Sequence, residues 1–591
     1  MLMNESAAES RPGPPIQGRR PLKLRFPAIC VAIFWIVFLV VNGMENSYFH
    51  TFLTQVGSGA LFVLLFFGWW WFNRGLRLSQ KAIGFVAILG LGWLTSRFLH
   101  PSVNPFLLFR IGLPAAALAA IFALHHARKR SDPLIGARFV ALVALAWAPF
   151  LLFRTHGTDA SLRVAWDWRW KPSAEERFLA SISQKAKPSK ISDLEKPQKG
   201  EWTSFRGPNR DGVVLGTSIS TNWSKEPPTL VWKRPVGPAW SSISTLGRRL
   251  FTQEQRASRE AVVCYDANTG DELWAHEDEA RFEEPMSGIG PRGTPTVEGD
   301  RIYALGATGL LTCLEAATGK KIWQRNILED AGCHNQMWGL SGSPAVSEGK
   351  VLVYAGRVKG LLAYKADSGE VAWSAPVGPA SYSSPQVSVI DGVPQCLILH
   401  DHGITSIEVA TGRDLWNAGL VFETGPRSCQ PRLVKGNELV VGALNGPGTS
   451  SIHVGKSGGQ WTVSTNWISK DLKPEFPDFI VHKDHVYGFD LNMLCCIKLE
   501  DGKRTWKNGR YGRGQVVLLA DQELLLVSSE TGDLVLVPAD PVEHREIGRF
   551  KALEGKTWNS PVVRGNLIFH RNAQEMACYR AGGSQKIAQT R

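Results

Sequence analysis

Long unbroken apolar runs fill the first 155 residues, and from Trp202 onward they give way to short alternating runs separated by Gly-containing turns. The two patterns predict two kinds of structure. A helix needs roughly 20 mostly apolar residues to cross the hydrocarbon layer, whereas alternating runs bounded by turn residues are strands. Five stretches predict membrane helices: Phe26 to Met44, Phe52 to Phe72, Ala82 to Leu99, Pro105 to Leu124 and Phe139 to Phe153. The first two hold no charge. Lys81 and Arg97 bound the third, Arg110 lies near the start of the fourth, and Arg138 and Arg154 bound the fifth. Such ends can snorkel to the interface.

Charge then sets orientation. Of the 66 Lys and Arg, 15 fall in residues 1–160, against 5 of the 53 Asp and Glu. The excess of +13 is therefore mostly a feature of the apolar half, where it reads as topology and not as a nucleic-acid surface. Arg19, Arg20, Lys23 and Arg25 precede the first stretch, Arg74, Arg77 and Lys81 follow the second, and Arg128, Lys129, Arg130 and Arg138 follow the fourth. The positive-inside rule makes 1–25 a cytoplasmic tail and, with five crossings in 26–154, puts the rest of the chain outside the cytoplasm. If the short fifth stretch does not cross, that sidedness reverses. Residues 155–200 read as a juxtamembrane segment and linker. In it Trp166, Trp168 and Trp170 suit the headgroup layer or an ordinary surface helix, Ser173 and Glu176 suit a capping box, and Lys185 to Lys199 suits a linker.

Within 201–585 a segment repeats: CYDANTGDELW (264–274), CLEAATGKKIW (313–323), AYKADSGEVAW (363–373), SIEVATGRDLW (406–416) and CIKLEDGKRTW (496–506). Each sets a turn Gly four residues before a Trp. Asp, Asn, Ser or Thr before Gly suits a tight turn with positive φ, so the Trp falls on the outgoing strand. The spacing fits one four-stranded propeller blade per repeat. Trp232, Trp274, Trp323, Trp373, Trp416, Trp461 and Trp506, with Phe550, mark the blades as structural wedges. The piece around Trp232 lacks inner strands and the piece from Asn559 to Arg580 lacks an outer one, so the two would complete a single blade. The count is then eight, with seven left open because Trp461 and Phe550 lack the Gly spacing.

The repeat, with EWTSFRGPNRDG (201–212), GPRGTPTVEGDRIYALGATG (290–309), MWGLSGSPAV (337–346) and YSSPQV (382–387), resembles the pyrroloquinoline-quinone-like (PQQ-like) β-propeller family, here fused to a multi-span membrane region. The resemblance implies an all-β propeller and one of two activities. Quinoprotein dehydrogenases hold the quinone with calcium, a catalytic Asp and often a vicinal Cys disulfide; non-enzymatic members assist outer-membrane barrel assembly, as BamB does.

The residues favour the second kind. Cys495-Cys496 is the vicinal pair, yet Cys264, Cys313 and Cys496 all lie six residues before the turn Gly and Cys578 aligns with them, which reads as a small-residue packing position. No calcium ligand set is evident, and no C-x-x-C-H haem motif occurs. His400-Asp401-His402 and His482 with His485 fall at predicted hairpin turns, where solvated His is commonplace, so no metal site is assigned. Just before the innermost strands stand Trp240, Arg292, Trp338, Tyr382, Arg427, Arg513 and Trp558, which would ring one funnel mouth. They either fill the funnel or hold a flat or anionic ligand, or a partner's chain. The expectation is a bacterial inner-membrane protein whose periplasmic propeller binds or scaffolds without catalytic residues or a cofactor. Its partners would be the membrane and another envelope protein or a small ligand. The alternative is a membrane-bound PQQ-dependent dehydrogenase of an alcohol or sugar.

Overall fold

A computed structural model describes residues 22–44, 48–127, 135–159, 162–183, 194–195, 200–356, 359–379, 381–420, 427–444 and 446–582. The chain forms two compact units. One holds the apolar helices up to His156 together with Trp166–Arg169; the other holds Gly157–Ala165 and Trp170 onward. The cytoplasmic tail lies outside the described residues apart from its last four, and of the Lys185 to Lys199 linker only residues 194 and 195 are described.

Among the described residues of the first unit, four helices are long and apolar enough to cross a membrane: Arg25–Gly43, His50–Phe72, Leu78–Arg97 and Leu108–His126. The fifth stretch, expected to reach Phe153, forms a shorter apolar helix, Gly136–Leu151. It stops there because the chain turns into the strand Phe153–Thr158. Small residues let the helices close on large ones. A Cβ on Gly84 would lie 2.0 Å from the Trp70 ring, and one on Gly112 2.3 Å from Trp147, the small-against-large packing that apolar helices use where water supplies no driving force. Trp166 and Trp168 lie on the strand Val164–Trp168, not on a surface helix, and Trp168 stacks on Phe153 at 4.8 Å.

The second unit is a ring of eight sheets. Blade 1 spans Ser244–Leu246 to Glu272–Glu279 and blade 2 Thr296–Glu298 to Lys321–Asn326. Blades 3 to 6 follow, from Ala345–Ser347, Gln386–Ile390, Arg432–Lys435 and Ile480–His482. Blade 7 begins at Gln515–Leu519, and blade 8 takes Val562–Arg564, Leu567–Arg571 and Glu575–Arg580 from the C-terminal part. Thr229–Pro235 completes blade 8 from the other end of the propeller sequence, with Trp232 opposite Cys578. No open sheet edge is left at the seam.

The repeat has a mechanical reason that spacing alone does not reveal. Five wedge Trp dock under the turn Gly of the next blade, not of their own. Trp274 Nε1 donates to Ala316 O at 3.2 Å and lies against Gly319; Trp323 does the same with Ala366 O at 3.0 Å and Gly369, and Trp373 with Val409 O and Gly412. Trp232 starts the series on Ala267 O and Gly270. The turn glycines have φ near +73°, and a Cβ on Gly319 would come within 2.4 Å of the Trp274 ring. The residue opposite each Trp on its own sheet is small: Cys264, Cys313, Ala363, Ser406, Cys496 and Cys578. The cysteines thus fill a space that an indole leaves narrow.

Trp461, Trp416, Trp506 and Phe550 depart from the expected series, Trp506 donating to Asp540 O at 2.9 Å in a blade 7 turn without the glycine. In blade 5 the wedge is Trp467, which donates to Leu499 O at 2.8 Å and packs on Gly502. Trp461 instead sits near the Gly458-Gly459 turn with the Lys456 ammonium 4.3 Å above its ring. The strands of this hairpin, Thr449–Ser457 and Gln460–Ser469, are longer than in the other blades, which moves the docking register by six residues. Because blade 5 offers no Thr-Gly turn, Trp416 turns its Nε1 to Gln395 Oε1 of its own blade. In blade 7 Phe550 packs between Tyr579 and Trp223, at 4.9 and 5.3 Å.

Burying an indole removes about 150–250 Å², worth of order 4–6 kcal/mol as an upper bound. Gly319→Ala is expected to destabilise the ring by about 2–4 kcal/mol, from positive-φ strain plus the indole clash. Gly349→Ala, with φ +68° but nothing within 4 Å of a Cβ, should cost about 1–2 kcal/mol. Denaturant unfolding of the two variants checks the difference; equal losses would show that the indole yields.

Candidate functional site

The innermost strands carry a polar belt that joins one blade to the next. Ser242 N donates to Thr294 Oγ1 (3.0 Å), Thr294 N to Ser343 Oγ (2.8 Å) and Ser343 N to Ser384 Oγ (2.9 Å). Further round, Gln430 N donates to Asp478 Oδ1 at 2.8 Å. Thr294, Ser343 and Ser384 occupy the Gly-Thr-Pro, Gly-Ser-Pro and Ser-Ser-Pro positions of the sequence, so the belt satisfies strand ends that would otherwise go unpaired.

One end of the channel is plugged. Residues 201–214 cross it: Thr203 O accepts from Val297 N, Arg210 donates to Pro344 O (2.9 Å) and Ser343 O (3.0 Å), and Arg206 donates to Phe479 O (2.8 Å). Val213–Val214 then pairs in parallel with blade 7. Arg206 and Arg210 hold φ of 62° and 55°, a strained backbone for non-glycine residues that their bonds to the carbonyls of Phe479, Pro344 and Ser343 sustain. Burial pushes the Arg210 guanidinium down to about 10. The sequence motif 201–212 is this plug.

On the plug's inner side lies a cavity of about 240 Å³, lined by Phe205 of the plug and by Trp240, Trp338, Tyr382, Phe476 and Trp558 of the blades, with Ser341, Ser428, Met286 and Asp159 among the polar and thioether groups. Its rings are tilted against one another. Trp240 and Trp558 centroids lie 4.9 Å apart at 39°, Trp338 and Tyr382 5.1 Å apart at 55°, and Phe476 and Trp558 5.0 Å apart at 60°. Of the seven residues expected at the funnel mouth, Trp240, Arg292, Trp338, Tyr382 and Trp558 line this one cavity.

The arginines serve a different end. Arg292 Nη2 binds Glu284 (3.3 Å) and Ser287 Oγ (2.9 Å), and its plane lies 4.5 Å over Phe282. Its pKa falls to about 10 because burial outweighs the attraction of Glu284. Arg513, fully buried, pairs with Glu475 at 2.7 Å, and Arg427, 1% exposed, pairs with Asp401 at 3.4 Å. Neither Arg427 nor Arg513 lines the cavity, because each strand end buries its guanidinium against a neighbouring carboxylate. Their residue type at the mouth was legible, but their ion-pair partners, far apart in sequence, were not.

Lys556 is the residue that the repeat alignment passed over. Its ammonium lies 4.3 Å from the Trp558 ring and 5.0 Å from Trp240, and donates to Thr158 O at 2.9 Å. Burial lowers its pKa to about 8, against the pull of Glu530, Glu284 and Asp159. The signal was Lys two residues before a funnel Trp.

The histidine pairs stay outside this site. His400 is buried, not solvated as expected of a turn: Thr405 Oγ1 lies 2.9 Å from its Nε2, and burial pushes its pKa down to about 4. His482 and His485 face each other across a hairpin. Among the described residues no three His, Cys, Asp or Glu side chains converge as a metal site.

A calcium-bound quinone does not fit the donors present. Calcium takes about six to eight oxygens, whereas Glu284 already accepts from Met286 N, Ser287 N and Arg292, Glu475 from Arg513, and Glu530 from Trp558 Nε1. Cys495 and Cys496 are unbonded and, as neighbours on a strand, face opposite sides of blade 6, one toward blade 5 and the other toward blade 7.

Fold and cavity together define an eight-bladed PQQ-like propeller on a chain that carries membrane-spanning-type helices. Residues 258–508 match the family described as outer membrane protein assembly factor BamB, and they carry its PQQ-like repeat. Quinohemoprotein alcohol dehydrogenase ADH IIB of Pseudomonas putida is 33% identical over 138 residues, 21% of this chain and 19% of that protein. BamB of Yersinia pestis is 33% identical over 100 residues, 17% of this chain and 25% of its own length. The chain therefore spans a quarter or less of these two relatives. Among solved structures, BamB from Moraxella catarrhalis covers 60% of this chain and 99% of its own, at 14% identity and a TM-score of 0.45.

Arg513→Ala is expected to destabilise the propeller by about 3–5 kcal/mol, because it leaves Glu475 buried without its counter-ion. Arg513→Ala paired with Glu475→Gln should recover part of that loss. Thermal unfolding of the single and double variants checks it.

Proposed function

We propose that this chain is a bacterial inner-membrane protein whose propeller lies outside the cytoplasm and binds or scaffolds through its aromatic cavity, without chemistry of its own. The observation that carries the reading is charge closure: Arg292, Arg427 and Arg513 each hold a carboxylate of the protein itself. What the cavity offers a ligand is aromatic faces edged by hydroxyls. That composition suits an uncharged ring-bearing group, from a small molecule or from a partner's side chain, better than the anion that free guanidinium groups would attract. A partner in the envelope accords with the BamB relatives by family name, and the dehydrogenase reading with the alcohol dehydrogenases.

The sidedness in this reading requires Gly136–Leu151 to cross as a fifth span. Its 16 residues rise about 24 Å, short of the roughly 30 Å hydrocarbon layer, so Arg138 in its first turn and Arg154 beyond its end would snorkel. A reporter active only outside the cytoplasm, fused after residue 200, should be active; activity of a cytoplasmic reporter there would reverse the sidedness.

The absence of chemistry is tested separately. Purified full-length protein incubated with PQQ and calcium should gain no cofactor absorbance and reduce no dye with alcohols or sugars. Stoichiometric quinone uptake with dye reduction would establish the dehydrogenase instead.

A further inference from the structure

The charges around the plug do not close as they do at the aromatic cavity. Three guanidinium groups lie there, those of Arg206 and Arg210 in the plug and of Arg432 in blade 5. Arg206 pairs with Asp478 at 3.6 Å, and that carboxylate also accepts from Gln430 N and Nε2. Arg432 pairs with Asp211 at 3.5 Å. The Arg210 guanidinium, in a side chain 6% exposed, donates to the carbonyls of Pro344 and Ser343 and meets no carboxylate among the described residues. Within this set one positive charge is unmatched.

The same groups border a second cavity, of about 330 Å³, between the plug and the innermost strands of blades 2 to 5. It shares no lining residue with the aromatic cavity. Arg210 and Arg432 line it, with Asn209, Gln386 and Glu298. Two of its donor groups are loosely held. Arg432 Nη1 reaches Asn209 O at 3.4 Å and Arg210 O at 3.3 Å, and Gln386 Nε2 reaches Asn209 O at 3.5 Å and Val387 O at 3.4 Å. These bonds exceed the roughly 2.7–3.2 Å of an ordinary N–H···O bond. Such donors gain by turning to a charged acceptor, whose bonds are shorter and stronger. Arg432, with 15% of its side chain exposed, stays within reach of one.

We propose that this cavity is a second binding site, taking a small oxyanion, a carboxylate or phosphate group, on the Arg432 guanidinium with the unmatched charge of Arg210 behind it. The inference goes beyond the reading of the aromatic cavity and does not rest on it. A planar guanidinium fork suits either group, and partial burial strengthens the attraction relative to open water. Arg210 stays charged at neutral pH, since burial brings its pKa down only to about 10. Glu298 stands exposed at the rim and opposes the anion by a screened, weak repulsion.

Calorimetric titration of the full-length protein in non-ionic detergent, with inorganic phosphate and succinate in separate runs, tests the site. At least one should bind saturably with a Kd of about 1 mM or tighter, and the tighter of the two names the oxyanion. Arg432→Gln should weaken it about tenfold or more. Arg545→Gln, at an exposed arginine of blade 7 outside this cavity, should leave it unchanged. Three results would overturn the site: no saturable binding, an unchanged Kd in Arg432→Gln, or an equal loss in Arg545→Gln, which would show an adventitious ion only, gathered by net charge. Should Arg432→Gln lose the cooperative thermal unfolding of the wild type, Glu298→Gln takes its place. That change should tighten binding about twofold, and an unchanged Kd there would likewise overturn the site.

Discussion

The ring depends on a single contact repeated between blades: an indole from one outer strand lodged under a left-handed glycine of the next. The glycine has to be glycine twice over, once for its φ and once because a Cβ would occupy the indole's place, as the 2.4 Å approach at Gly319 shows. The indole in turn caps a carbonyl that the turn leaves open, Ala316 O for Trp274 and Ala366 O for Trp323. Geometry, apolar burial and hydrogen bonding are thus satisfied by one side chain. Where the turn glycine is missing, at blade 5, Trp416 finds a partner within its own sheet, and the series resumes with Trp467.

Fixing the outer strands in this way frees the inner ones to be polar. The belt through Ser242, Thr294, Ser343 and Ser384 ties the strand ends to one another rather than to a ligand. The plug of residues 201–214 then uses Arg206 and Arg210 to reach carbonyls of blades 3 and 6. A channel that is belted and stoppered leaves the aromatic cavity beside the plug. Phe205, carried by the plug, becomes the floor of the aromatic cavity.

At that end, the electrostatics are closed internally. Each arginine near the mouth is matched by a carboxylate, Glu284 and Glu475 buried and Asp401 partly exposed, and losing a buried partner leaves a charge without water, which is why these pairs read as architecture. Lys556 is the exception, an ammonium between two indoles whose hydrogen bond goes to a main-chain carbonyl instead of a carboxylate. The vicinal cysteines, neighbours on one strand, are turned to opposite faces of blade 6.

Sequence by itself determined the apolar stretches, the repeating blade and the seam, though not whether the blades number seven or eight, because each is written as a local period: about 20 apolar residues, Gly four before Trp, and a half-blade at each end of the propeller region. The capping box at Ser173 and Glu176 was legible for the same reason, being a contact of three residues' span. Only the tertiary structure decided that Trp467 replaces Trp461, since hairpin length shifts the register without changing composition, and that Arg427 and Arg513 are consumed by Asp401 and Glu475. It also decided that Phe205 and Thr158 line one cavity, with Lys556 against two of its rings, Trp240 and Trp558. Those residues lie up to 398 positions apart, and a closed ring brings together side chains whose proximity no local pattern encodes.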